Sequence, residues 1–182
     1  ADFLNNIGVS YLHAGKTKEA EEYYNKALEI GKRIGNDLLL SIVYINLSEL
    51  SAQEGDYTTA IDYALKSIQH ADEEKNPTDY YSHQTMIGDL YINKGEVEIG
   101  FPYLDNAYRK LKSCGDRMFL YETCLSLASY YENRGSADSV RKYEGIAAMI
   151  AKETQNPDHR MRLLQQQRKS AVAAGDFKRA FD

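Results

Sequence analysis

The sequence predicts an all-α protein, an α-α superhelix in which antiparallel helix pairs stack into a solenoid. Three observations carry this. Glycine returns every forty residues, at Gly15, Gly55, Gly95, Gly135 and Gly175, and five glycines in phase imply one supersecondary unit copied along the chain. The residues flanking each glycine repeat in class at helical spacing. Turn and cap residues then recur about twenty residues beyond each glycine.

The first helix of each unit is read from the columns ahead of its glycine. Seven positions before it stand Gly8, Ser48, Gly88 and Ala128, all small, as expected where two helix backbones approach closely. Eight before it come Ile7, Leu47, Ile87 and Leu127, and four before it Tyr11, Ser51, Tyr91 and Tyr131, an apolar stripe suited to a core. In the last unit Gln167 and Arg168 break these columns, a departure expected of a terminal repeat that needs a polar outer face.

The second helix follows from the columns after the glycine. Five residues on come Ala20, Ala60, Gly100, Val140 and Ala180, and twelve on Ala27, Ser67, Ala107 and Ala147, again small side chains for tight packing. The helices end at Gly35-Asn36-Asp37, Asn76-Pro77-Thr78, Cys114-Gly115-Asp116 and Asn156-Pro157-Asp158, where glycine, asparagine and proline stop one helix and start the next. This predicts helices over 37–54 and 57–74 in the second unit. The whole chain reads as one solenoid, 1–182, with units 1–35, 36–75, 76–115, 116–155 and 156–182. The first unit lacks a lead-in turn and the last stops early in its second helix, so a fragment of a longer protein is expected.

Composition removes several classes of function. No apolar run approaches the roughly 18 residues of a membrane span, and no secretory signal opens the chain. The formal net charge of −5 lacks the basic footprint of phosphate binding, and Tyr11, Tyr24, Tyr91 and Tyr131 fall on the packing stripe, so neither nucleic acid nor membrane is expected to bind this segment. Cys114 and Cys124 show no zinc-site spacing and read as small buried side chains. His13, His70, His83 and His159 are scattered, with no carboxylate at ligand spacing. No phosphate-binding loop, nucleophile elbow or triad order is present. No catalytic residue, metal site or cofactor is expected, and the segment is read as a non-enzyme. The compartment is unassigned, the cytoplasm slightly favoured and the periplasm open if the whole protein carries a signal or anchor.

Charge is unevenly spread. Residues 41–80 carry two basic and eight acidic side chains, whereas residues 161–182 carry five basic and two acidic. Solvated helix faces account for such runs; a docking role would place an end contact at Arg162, Arg168 and Lys169.

Leu4, Asn6, Ile7, Gly8, Tyr11, Gly15, Ala20, Tyr24 and Ala27 resemble the tetratricopeptide repeat, and the resemblance runs the length of the chain, with a period longer than the family's usual 34 residues. Gly55-Asp56-Tyr57 and Gly175-Asp176-Phe177 look like the family's hairpin turn. Later copies drift, with Ala64, Leu104 and Glu144 in the place of Tyr24, which makes the second helix of the fourth unit the weakest match. The resemblance implies a right-handed superhelix whose first helices line a concave protein-binding face. It places there Asn5, Asn6, Val9 and His13, then Ile42, Ile45, Asn46, Glu49 and Gln53. It adds Met86, Asp89 and Asn93, and finally Glu122, Leu125, Ser129, Glu132 and Asn133. Asn6 and Asn46 would offer amides to a peptide backbone. The acids disfavour an acidic tail of the kind that carboxylate-clamp members hold. Long-repeat members of the family are common in bacterial regulators and adaptors. The expected function is therefore a protein- or peptide-binding scaffold in a larger signalling or transcription-control protein, with a neutral or basic segment, or other domains of its own chain, as partner. The alternative is a structural scaffold that self-associates.

Overall fold

A computed structural model describes residues 1–173 and Gly175. Among these, nine helices follow one another: α1 (Asp2–His13), α2 (Thr17–Ile34), α3 (Asp37–Gln53), α4 (Tyr57–His70), α5 (Pro77–Lys94), α6 (Val97–Cys114), α7 (Arg117–Asn133), α8 (Ala137–Thr154) and α9 (Pro157–Ala173). The forty-residue glycine has a specific structural job. It is the left-handed residue that follows the first helix of each pair, with φ between 67° and 93° at all five positions. The amide after it reaches back to the carbonyl four residues before it: Lys16 to Tyr11, Asp56 to Ser51, Glu96 to Tyr91 and Ser136 to Tyr131, at 2.8–3.0 Å. The glycine amide itself bonds the carbonyl three residues before it, at 2.9–3.0 Å, and this pair of reversed bonds satisfies carbonyls that the helix end leaves open and turns the chain in two residues. At Gly175 the first of the two bonds is present, to Val172 at 3.0 Å. Asp176, Phe177, Ala180 and the expected second helix of the last unit lie outside the described residues.

A tyrosine pair clasps most hairpins. Tyr11 stacks on Tyr23, Tyr91 on Tyr103 and Tyr131 on Tyr143, with centroids 5.4, 6.0 and 5.6 Å apart and planes within 17°. In the second pair Ser51 replaces the first tyrosine, and Tyr63 turns to Tyr44 instead, 6.2 Å away. Behind the clasp lies the column of small residues. A Cβ added at Gly8 would lie 2.5 Å from the Tyr24 ring, and one at Gly88 would lie 2.7 Å from Leu104 and 3.0 Å from the Gly100 carbonyl. The first pair thus trades a glycine for a buried tyrosine, and the third brings backbones together. Ser48 spans the same gap by donating to the Ala60 carbonyl at 2.8 Å. In the fourth pair Ala128 and Glu144, at the corresponding positions, are both buried, and α8 is a full-length helix despite that departure.

The links between pairs are short where side chains cap them. Asn36 accepts from the Leu39 amide and Asp116 from the Phe119 amide, and Pro157 opens α9 as Pro77 opens α5. One link differs from expectation. Helix α4 ends at His70 rather than continuing to Glu74, and Ala71 is extended at φ −81°, ψ 138°. The Asp72 carboxylate captures the amides of Glu74 and Lys75 at 3.1 and 3.0 Å, a local turn that competes with the helix. Tyr81 donates to Glu73 and fixes the six-residue link 71–76 against α5.

Stacking follows from these parts. Each helix packs on its neighbours in sequence, and the first helices also meet at α1–α3, α5–α7 and α7–α9, while no two second helices approach comparably among the described residues. The stack therefore curves with the first helices inside. Helices α3 and α5 stand further apart than the other successive first helices. Apolar side chains fill the space between pairs, with Tyr24, Leu47, Ile87, Leu104, Tyr121, Leu127 and Ile150 among the fully buried ones. Cys124 is buried, whereas Cys114, expected to be buried too, is exposed; its place in the last turn of α6 faces it outward. Among the described residues no helix is long and apolar enough to cross a membrane.

Two glycines test this packing in opposite directions. Gly88→Leu has no room and is expected to destabilise by about 1–3 kcal/mol, as overpacking does. Gly145 is exposed within α8, and a Cβ there meets nothing within 4 Å, so Gly145→Ala is expected to stabilise by about 0.5–1 kcal/mol. Denaturant midpoints of the two variants measure both.

Candidate functional site

The inner face is stitched by polar contacts between residues 37 to 42 apart, one repeat along. Asn46 on α3 donates to Asn5 on α1 at 2.8 Å. Thr85 and Thr123 join α5 to α7 at 2.8 Å, and Ser126 donates to Asp89 across the same boundary at 2.7 Å. Between α7 and α9, Tyr121 donates to the His159 carbonyl, and Arg162 pairs with Glu122.

The residues expected on the groove are therefore spread over several environments. Asn5 is buried in its pair with Asn46, so one donor of the Asn46 amide is engaged within the protein. Asn6, His13, Asn93 and Asn133 are exposed. Glu49 and Gln53 are exposed and within 3.4 Å of each other. Val9, Ile45, Met86 and Leu125 are half-buried against the core clusters, Ser129 is half-buried and Ile42 stands at the surface. Of the basic residues on α9, Arg162 and Lys169 lean back onto α7. Lys169 lies 3.8 Å from Glu132, whose side chain is only 8% exposed. Arg168 is exposed on the same helix.

The separation of α3 from α5 leaves a cavity of about 1290 Å³ on the inner face. Its walls come from α3 (Asp37, Leu38, Ser41, Ile42, Ile45), the end of α4, the 71–76 link, α5 (Asp79, Ser82, His83, Thr85, Met86, Asp89, Leu90) and the start of α7 (Phe119, Glu122). The apolar members include Leu38, 53% exposed, and Ile42, 37% exposed. Around them stand seven carboxylates, Asp37, Asp72, Glu73, Glu74, Asp79, Asp89 and Glu122, with Lys75 the one lysine or arginine in the lining. Lys75 is held by Asp72 at 2.8 Å.

The floor is polar and closed. His83 Nδ1 lies 2.8 Å from the Ser67 hydroxyl and 3.5 Å from that of Ser41, and the two hydroxyls are 3.3 Å apart, so one junction joins α3, α4 and α5. Ser67 is completely buried; its hydroxyl faces packed protein and not a space that a substrate could enter. Burial pushes the His83 pKa down to about 4, with Asp79 working against the shift. Burial also pushes the Asp89 pKa up to about 7; Glu122 adds to the rise, while the Ser126 bond and Arg162 oppose it. His70 lies 2.8 Å from Asp37 across the α3–α4 boundary, so one histidine does find a carboxylate, 33 residues away and outside any local spacing. Among the described residues no three His, Cys, Asp or Glu side chains come together as metal ligands would.

Sequence reasoning missed Asp37, Leu38, Ser41, His83 and Phe119 as lining residues, together with the whole 71–76 link. The available signal was the acidic excess of residues 41–80, four of whose acids, Asp72, Glu73, Glu74 and Asp79, line this cavity.

Comparison with known proteins gives a consistent picture. A family model described as Tetratricopeptide repeat matches residues 1–73. Tetratricopeptide repeat protein 29 of Macaca fascicularis is 27% identical over 89 residues, 49% of this chain and 19% of that protein, so the chain spans about a fifth of the relative's length. Two crystal structures share the fold. BtubC (BKLC) from P. vanneervenii superposes with a TM-score of 0.79 at 16% identity, over 97% of this chain and 74% of that one. A Signal Transduction ATPase with Numerous Domains with a tetratricopeptide repeat sensor, from Pyrococcus horikoshii, gives 0.73 at 18% identity, over 94% of this chain and 26% of that one.

The two displaced pKa values bend stability in opposite senses. His83 refuses a proton in the folded state, so its contribution is complete above pH 6.5 and is lost as pH falls towards about 4. Asp89 holds its proton more tightly when folded, so its contribution is complete near the unfolded value of 3.8 and is lost as pH rises towards about 7. Asp89→Asn is therefore expected to raise the urea midpoint relative to the parent at about pH 8, with the gap closing towards about pH 4. A gap of constant size across that range would contradict the burial of this carboxyl.

Proposed function

We propose that this chain, whose residues 1–73 match the tetratricopeptide-repeat model, is a repeat scaffold of that kind throughout and captures a neutral or basic protein segment on its concave face. The repeat fold is a protein–protein interaction scaffold, built of first helices that turn one face inward. The observation that carries the finer reading is the cavity between α3 and α5, whose lining combines exposed apolar side chains with seven carboxylates. Apolar area supplies attraction and the carboxylates select against acidic partners. Ser67, the hydroxyl nearest His83, is completely buried, and we place any chemistry outside this segment. The repeats of the Pyrococcus horikoshii protein are a sensor in that protein, which supports a regulatory part for these repeats, with a partner in another protein or in another domain of the same chain.

A second reading, assembly through the end of the solenoid, is favoured by α9, where Met161 and Leu164 are 62% and 58% exposed. It predicts a mass that rises with concentration in light scattering and falls back to the monomer in Leu164→Glu.

Peptide arrays sorted by charge test the main reading. Bound sequences are expected to be enriched in lysine, arginine and apolar residues and depleted in aspartate and glutamate. Glu49→Lys with Asp79→Lys, both at exposed positions, should weaken capture about tenfold or more while changing stability by no more than about 0.5 kcal/mol. Bound sequences without charge bias would refute the preference for basic segments.

A further inference from the structure

We propose that the cavity between α3 and α5 is the anchoring point for an arginine of the captured segment, with an apolar neighbour of that arginine seated on Ile42 and Ile45. The inference rests on the reading of the concave face as the partner-binding surface and goes further, to one place and one side-chain chemistry.

Size argues for a peptide. At about 1290 Å³ the cavity exceeds the usual range for a small-molecule pocket, roughly 300–1000 Å³, and it is open along the inner face. Both walls mix apolar and acidic groups. The α3 wall presents Leu38 and Ile42 to solvent, with Ile45 and Asp37 beside them. The opposite wall, from α5 and α7, presents Asp79 and Glu122 next to Met86, Leu90 and Phe119, while the Asp89 carboxyl is buried against Ser126. A chain lying between these walls meets apolar surface and carboxylates together, the complement of a segment that carries an apolar and a cationic residue side by side.

The protein already shows which cation this wall accepts. Arg162 reaches from α9 to Glu122, its Nη1 donating to Oε1. A carboxylate has lone pairs for further donors, and a planar guanidinium matches it in two-pronged geometry that an ammonium lacks. Glu122 belongs both to this internal pair and to the cavity lining. A ligand guanidinium held by the lone pairs of Glu122 that Arg162 leaves open, with the exposed Asp79 in the same lining, therefore extends an arrangement that the fold makes for itself. The carboxylates do not gather as a metal site does; they line a wall, as suits a long side chain.

Fluorescence anisotropy with a short labelled peptide of alternating leucine and arginine is the direct test, with the leucine–glutamate peptide as comparison. The leucine–arginine peptide is expected to bind and the leucine–glutamate peptide is not. Asp79→Asn and Glu122→Gln should each weaken binding about tenfold or more. Because Glu122→Gln also severs the Arg162 pair, Asp79→Asn, at an exposed position, serves as a second variant that breaks no ion pair. Glu19→Gln with Glu21→Gln on α2, outside the cavity, should leave affinity unchanged; an equal loss there would mean diffuse charge attraction and overturn the inference. A photo-crosslinker carried in turn at Ile45, His13 and Asn93 separates the remaining outcomes. Crosslinking at Ile45 supports the anchor. Crosslinking at His13 or Asn93 without Ile45 overturns the anchor and leaves the concave-face reading standing, and crosslinking at none of them overturns both.

Discussion

A side chain of the wrong size seven residues before the turn glycine would rotate the first helix of its pair and carry every inward-facing residue with it. That is why the contact between Gly8 and Tyr24, or between Gly88, Leu104 and Gly100, matters more than its few atoms suggest. Both members lie in packed interior, where displaced volume has nowhere to go. The reversed hydrogen bonds at the glycine turn then hold the two helices to a common origin, and the tyrosine clasp holds them together beyond it. Packing sets the rotation of each helix, the turn sets its offset, and together they decide which residues face the groove.

Between pairs the logic changes from volume to direction. The contacts of Asn5 with Asn46, Thr85 with Thr123, and Glu122 with Arg162 join positions one repeat apart. Apolar surfaces can slide past one another at small cost, whereas a hydrogen bond lost in a half-buried seam leaves a polar group unpaired. The inner face is thus partly consumed by its own assembly. An asparagine or an arginine that would serve a ligand on an isolated helix serves the next helix instead, and what remains for a partner is concentrated where the seam is thinnest, between α3 and α5.

Much of this was legible in the sequence. The glycine period, the small column and the apolar stripe each follow from local spacing, because a helix repeats its faces every few residues and a hairpin needs its left-handed residue in one place. The end of α4 was not legible. Gln69, His70, Glu73 and Glu74 are all compatible with a helix, and what stops it is the Asp72 turn, backed by a bond from Tyr81 eight residues away. The pairing of Arg162 with Glu122 was hidden for a related reason. Forty residues separate them, and only a known register between pairs brings them together, so a basic cluster at the end of the chain read as free surface. The cavity inherits both gaps, since it exists where the link is long and the first helices part.

That parting has a mechanical consequence. A stack of helix pairs behaves as springs in series, and a bending load collects in the most compliant joint. Most joints are braced by direct contact between first helices. The joint between the second and third pairs lacks that inner brace and is held by the packing of α4 on α5, by the six-residue strap and by the Ser41–Ser67–His83 junction. A change in curvature at that joint would alter the spacing of α3 and α5 and with it the width of the pocket between them.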